Sequence, residues 1–147
     1  MSHTTTIKSV VLKDISALRQ AVSQLQAEGV KCELVENVKP RMYYKDQHVA
    51  CPYVLKLHDS PYDVGFDKQE DGTYVPVFDE FSGHVAKQIG AKRKIKQGEE
   101  RAQHAIGNLL QKYAVNVATN QALSQGFIVE SVTVDADMNI HLTLGGM

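Results

Sequence analysis

Apolar positions along this chain repeat with two different periods, and the changes of period mark out the elements. Residues 5–12, Thr-Thr-Ile-Lys-Ser-Val-Val-Leu, are β-branched and apolar enough to predict a strand. Ile15, Leu18, Val22 and Leu25 then share one face of a 3.6-residue helix, with Asp14 before them as an N-cap and Gly29 after them as a terminating glycine. The spacing predicts a helix over 14–28. Alternation returns over 30–35, so the first third reads β-α-β. Residues 36–47 have no period and contain Pro40, which predicts a loop or a weak edge strand.

The middle of the chain is strand-rich. Tyr53, Leu55 and Leu57 alternate with Val54, Lys56 and His58, as in a half-buried strand. Pro61 interrupts, residues 62–67 form the next strand, and Glu70-Asp71-Gly72 turns the chain into a strand over 73–78. Gly65, inside its strand, predicts a bulge or a close backbone contact. Phe81, Val85 and Ile89, four apart, predict a second helix from 79 onward. Gly90 and Gly98 bracket an exposed basic loop. Glu99 and Glu100 suit a helix start, and Ile106, Leu109, Leu110, Tyr113 and Val117 continue the stripe, predicting one long helix over 99–125. Residues 127–134 and 139–144 read as a closing hairpin whose core face carries Ile140, Leu142 and Leu144. The expected fold is α+β: a single domain over 1–147, with an antiparallel-rich sheet packed on two main helices, a β-α-β start and an α-β-β end.

Composition narrows the function classes. A chain of 147 residues, 43% hydrophobic, can bury one core of its own. Sixteen basic and seventeen acidic residues leave a net charge of −1, so no global field draws the protein onto nucleic acid or an anionic membrane. No apolar run approaches the roughly 20 residues of a membrane span, and the polar N-terminus lacks the apolar stretch of a signal peptide. A soluble, cytoplasmic protein without a membrane partner is expected. Cys32 and Cys51 form neither a CxxC nor a disulfide framework and are expected to be buried, inert thiols.

Reactive constellations are missing from the sequence. There is no GxSxG elbow, no glycine-rich phosphate cradle and no HExxH, and His3, His48, His58, His84, His104 and His141 are scattered. His58-Asp59 with Asp63 and Asp67 could supply metal ligands, but alternation across Pro61 does not force them together. No catalytic residue, metal or cofactor is expected. The local charge concentration is Lys87, Lys92, Arg93, Lys94 and Lys96, a candidate anion-binding segment acting through counterion release; it lacks stacking aromatics, which favours a solvated linker. Asp63 is expected to bond to backbone, and Tyr113 to be a core aromatic with its hydroxyl at the rim.

Three blocks carry a resemblance: Met1-Ser2-His3 with Ile7-Lys8; Tyr62-Asp63-Val64-Gly65-Phe66 followed by Gly72-Thr73-Tyr74-Val75; and Leu110-Gln111-Lys112-Tyr113-Ala114 followed by Gly126-Phe127. Over nearly the whole chain they resemble the hypothetical chloroplast reading frame thirty-five family of cyanobacteria, algal plastids and cyanophages. Its motif falls on Tyr62, Asp63, Gly65, Phe66, Gln111, Tyr113, Gly126 and Phe127. The chain departs from that pattern at Thr4, where an aromatic is common, at Glu80-Phe81, where a Trp is common, and at its Gly145-Gly146-Met147 ending. Trp is absent altogether, which fits a divergent or viral copy. The resemblance supplies no activity, substrate or cofactor. It implies an accessory or adaptor role, because relatives are encoded in some bacteria beside ring-forming AAA ATPases. The expected function is a non-enzymatic protein-interaction module with a protein partner; the alternative is a nucleic-acid or anion-binding protein using residues 87–96. Homo-oligomerisation is left open.

Overall fold

In the computed structural model, which describes residues 4–6, 11–43, 49–134 and 140–145, the elements run in the order β1 (Thr4–Thr6), α1 (Ile15–Ala27), β2 (Cys32–Val38), β3 (Cys51–Leu57), β4 (Val64–Lys68) and β5 (Tyr74–Asp79). A 3-10 turn (Phe81–Gly83) leads into α2 (His84–Ile89), α3 (Arg101–Ala105), α4 (Gly107–Ser124), β6 (Ile128–Val134) and β7 (Ile140–Gly145). The fold is the expected α+β type. No described helix is long and apolar enough to cross a membrane.

Local signals set α1 as the stripe predicts. Asp14 is extended, and its carboxylate accepts the Ala17 N–H at 3.0 Å. At the other end Gly29 takes φ +97 and donates to the Gln26 carbonyl, while Val30 donates to that of Leu25, both at 3.0 Å. That pair of bonds is the Schellman arrangement, which satisfies carbonyls the helix end would leave open. Ala17, Leu18, Ala21, Val22 and Leu25 form the buried face.

Five strands make one antiparallel sheet in the order β1-β5-β4-β3-β2. Its core side supplies Leu55, Leu57, Val64, Phe66 and Phe78, which meet α1, α2 and α4 in one cluster. Phe66 and Phe78 are fully buried, and each is worth about 2–3 kcal/mol of apolar transfer. β2 runs to Val38, so residues 36–38 are strand although the apolar pattern there has no period. Pairing of Glu36 with Tyr53 and of Val38 with Cys51 extends it. Asn37, between them, has φ +56. Of the expected strand over 5–12, β1 and a bridge from Leu12 to Tyr74 fall within the described residues; 7–10 lie outside them.

α1 and α4 lie antiparallel and are joined by a polar ladder. Asn120 donates to Gln20 at 2.8 Å, Gln24 and Asn116 exchange amide hydrogen bonds at 3.3 and 3.0 Å, and Lys112 reaches Glu28 at 2.6 Å. Each rung is one helical turn from the next on both helices, so the ladder fixes their register.

Two expectations are corrected. The single helix over 99–125 is divided: α3 ends at Ala105, Ile106 leaves helical geometry at φ −120 and ψ 24, and α4 begins at Gly107. A Cβ on Gly107 would lie 2.7 Å from the Ala91 side chain, so the segment before α3 sits closely against the break. The closing hairpin forms, but as a separate two-stranded sheet beside α4 rather than as part of the main sheet.

Candidate functional site

The motif aspartate is one of two fully buried carboxylates among the described residues. Asp63 is 0% exposed. It accepts the Arg41 N–H at 2.9 Å, the Leu57 N–H at 3.2 Å, and the Arg41 guanidinium through Nε at 3.0 Å and Nη2 at 2.8 Å. Arg41 Nη2 also donates to the Leu57 carbonyl, and the Asp63 N–H donates to the Arg41 carbonyl. These bonds hold the guanidinium pKa above its ordinary value, with the Asp63 hydrogen bonds as the main cause. The group ties residue 41 to the end of β3 and the start of β4. Bonding of Asp63 to backbone was expected; the fork from Arg41 was not, because residues 36–47 carry no pattern.

Other motif positions are also structural. Gly65 sits in a row with Val54 and Val77 across three strands, and a Cβ there would lie 2.8 Å from Cys51 Sγ and 3.0 Å from Pro40 Cγ. The close contact is with side chains packed over the strand rather than with a bulge. Tyr113 is buried, and its hydroxyl accepts the Lys13 and Asp14 N–H groups, both at 3.0 Å, clamping α4 to the entrance of α1. Tyr62 stacks edge-on to His84 with ring centroids 5.6 Å apart. Gly126, at φ +85, donates to the Leu123 carbonyl and Phe127 to that of Ala122, a second Schellman closure. Gln111 is half-buried on α4.

The basic segment is partly neutralised within the molecule. Arg93 forms a two-pronged pair with Glu99, with Nη1 to Oε1 at 2.8 Å and Nη2 to Oε2 at 2.6 Å, and Glu99 also accepts the Lys96 N–H. The Glu99 carboxyl is held down to about 2, chiefly by its hydrogen bonds from Arg93. Lys92 lies 3.6 Å from Glu28, whose pKa is lowered first by Lys112. His104 Nε2 meets the Arg93 carbonyl at 2.6 Å and anchors the segment to α3. Lys87 and Lys94 are exposed. The five cations therefore do not converge on one pocket.

Residues 25–143 match a family described as protein of unknown function, DUF1257. The chain belongs to this family. All eight motif positions lie inside the matched span, while Met1-Ser2-His3 and Ile7-Lys8 lie before it. Neither a curated protein nor a solved structure matches the chain.

The remaining titratable groups of this family member are engaged separately. His58 faces Glu33 at 3.3 Å, and Asp67 accepts the Cys51 thiol at 3.1 Å, so these residues and Asp63 do not gather into one ligand set. Both cysteines are buried; burial, followed by the Asp67 bond, pushes the Cys51 thiol up to about 12, far from a reactive thiolate. Asp79, also 0% exposed, accepts the Phe81 N–H at 3.0 Å and the Tyr43 N–H at 3.2 Å, which makes it a cap for the turn after β5. A cleft of about 270 Å³ between Phe78, Val85, Ile95, Arg101 and His104 is narrow and mixed in character.

Exposed apolar side chains are concentrated elsewhere, at the junction of α4 and the hairpin. Leu123 is 53% exposed, Ile128 50% and Phe127 40%, and Val132 and Leu144 on the hairpin are comparable. The helical period over 99–125 assigned α4 to the core without showing that its last turn emerges from it. Phe127 is the motif position with the most exposed large apolar side chain among the described residues.

Proposed function

We propose that this protein is a non-enzymatic interaction module that binds a protein partner through the apolar surface at the end of α4 and the start of β6. The observation that carries this reading is that Leu123, Phe127 and Ile128, within six residues of one another in the chain, are large apolar side chains about half exposed beside a helix end that is otherwise closed by its own backbone bonds. Clustered aromatic and aliphatic anchors of this kind supply most of the energy at protein interfaces. The buried carboxylates Asp63 and Asp79 are occupied by backbone and guanidinium donors, which suits structural anchors better than proton-transfer groups. Resemblance to the plastid reading-frame family extends the proposal to an adaptor accessory to an AAA-type ATPase, working in the cytoplasm of a cyanobacterium, the stroma of a plastid or the cytoplasm of a phage host.

Affinity capture from such a cell tests it with two variants. Ile128→Glu should abolish retention of the partner, and a Lys87, Lys92 and Lys94 to Gln variant should retain it. Arg93 is left in place because its pair with Glu99 belongs to the fold. A nucleic-acid complex that weakens steeply with salt and disappears in the lysine variant, while Ile128→Glu has no effect, would replace this reading with the anion-binding one.

A further inference from the structure

We infer that the outer edge of β7 pairs with the same edge of a second copy of this chain, joining two hairpins into a four-stranded antiparallel sheet. The inference goes beyond the proposed adaptor role and does not depend on it. It starts from how the sheet edges differ. An edge strand exposes unpaired N–H and C=O groups, and proteins blunt such edges with short strands, charges, prolines or bulges. β1, at one edge of the main sheet, is three residues long. β2, at the other, carries exposed Glu33 and Glu36, the positive-φ residue Asn37, and Lys39-Pro40 just beyond its end. β6 has a register irregularity between Val129 and Ser131, with Glu130 at the break. β7, Ile-His-Leu-Thr-Leu-Gly, has six residues and contains no Lys, Arg, Asp, Glu or Pro. Among the described residues its only strand partner is β6.

The side chains of β7 suit a copy of themselves. Register places Leu142 opposite Val132 and Leu144 opposite Val129, so one face of the ribbon is aliphatic, while Thr143 opposite Ser131 and His141 opposite Thr133 make the other face polar. Directly opposed residues in an antiparallel pair point to the same face. A two-fold axis through two β7 strands must therefore pass between identical residues. Centred on Leu142 it sets His141 against Thr143; centred on Thr143 it sets Leu142 against Leu144. Both registers join aliphatic to aliphatic and polar to polar. β7 has no Lys, Arg, Asp or Glu to oppose its copy, and a net charge of −1 per chain adds little repulsion. A two-stranded ribbon is marginal in water on its own, and two further strands would relieve that.

Sedimentation of the full chain across micromolar concentrations should show a reversible dimer. Thr143→Lys, an exposed position that opposes its own copy in one register and His141 of the copy in the other, should weaken it by at least about tenfold. Thr133→Lys, equally exposed but on β6, should leave the dimer intact. In the unmodified chain, amide exchange over 142–144 should slow as concentration rises, a readout that does not depend on either variant folding. A monomer at every concentration, exchange independent of concentration, or a dimer that Thr143→Lys leaves unchanged would overturn the inference. Partner capture through Ile128 would be untouched by any of these results, so the two proposals fail separately.

Discussion

Replacing Gly65 by Ala is the sharpest test of how the central sheet is packed. The new Cβ would lie 2.8 Å from Cys51 Sγ and 3.0 Å from Pro40 Cγ, against a comfortable carbon contact of about 3.5–4.0 Å. Neither neighbour yields freely: Cys51 is 1% exposed with its thiol bonded to Asp67, and Pro40 is a buried ring. Overpacking of this size costs about 1–3 kcal/mol, offset by about 0.4–1 kcal/mol from the reduced freedom of the unfolded chain. The expected net loss is about 1–2 kcal/mol, or about 1 M in the urea midpoint for a slope near 1–2 kcal/mol/M. Part of that loss should be recovered in a Cys51→Ala background, because the nearest clashing atom is gone, giving a coupling of about 1 kcal/mol. Gly98→Ala is the comparison. It places a Cβ in open space but at φ +83, so it should cost about 1 kcal/mol through backbone strain and show no coupling to Cys51. A Gly65→Ala protein with an unchanged midpoint, or one strictly additive with Cys51→Ala, would refute the packing described here.

Asp63→Asn should lose about 2–4 kcal/mol by urea unfolding, since it removes a fully buried charge and turns an amide NH2 toward the Arg41 and Leu57 donors; a loss below 1 kcal/mol would mean that Arg41, with 44% of its side chain exposed, rehydrates without cost. Tyr113→Phe should cost about 1–2 kcal/mol, because two N–H groups at the entrance of α1 lose their acceptor, and a neutral result would show that water replaces the hydroxyl. Glu99 has a folded pKa near 2 against an ordinary 4.5, so its contribution is fully present above about 4.5 and is lost as pH falls through about 2. Stability measured over that window should fall more for the wild type than for Glu99→Gln, and parallel curves would exclude the Arg93 pair as a source of acid sensitivity.

What could be read from the sequence was what neighbouring residues decide among themselves. Asp14 and Gly29 bound α1 through bonds to residues three to five positions away. The Asp71-Gly72 turn is equally local, with Gly72 at φ +86 and Thr73 bonded to Asp71. The unread features all depend on residues distant in the chain. Arg41 meets Asp63 across 22 positions, and Gln20 meets Asn120 across 100. In retrospect the ladder left a trace: Gln20, Gln24 and Glu28 recur every fourth residue, as do Lys112, Asn116 and Asn120, two polar stripes that look like ordinary solvated faces until they are set against each other. The break at Ile106 left none in the apolar spacing, because its stripe continues in phase and only Gly107 marks the closeness of Ala91. The separation of the hairpin from the main sheet is likewise invisible to alternation, which specifies faces and not partners.

The distribution of the motif bears on where function resides. Asp63 anchors Arg41, Gly65 admits Cys51 and Pro40, Phe66 fills the core, Tyr113 clamps α1 and Gly126 closes α4. Each of these positions is accounted for by a bond or a packing distance, so resemblance at them transfers the fold and says little about chemistry. A fold held in this way can change its surface without changing its shape. The positions that decide what this family member does should then be ones the fold does not need, and Leu123, Phe127 and Ile128 are the candidates: they are large and apolar, and about half of each residue is exposed. Phe127 is the informative one among them, since it belongs to the motif while 40% of it is exposed. Its backbone N–H already completes the helix cap, so Phe127→Ser keeps that bond and should leave stability within about 0.5 kcal/mol while removing an anchor from the proposed surface. A variant that keeps its urea midpoint but loses its partner would place the role of Phe127 in binding. A large loss of stability would return it to the fold along with the rest of the motif.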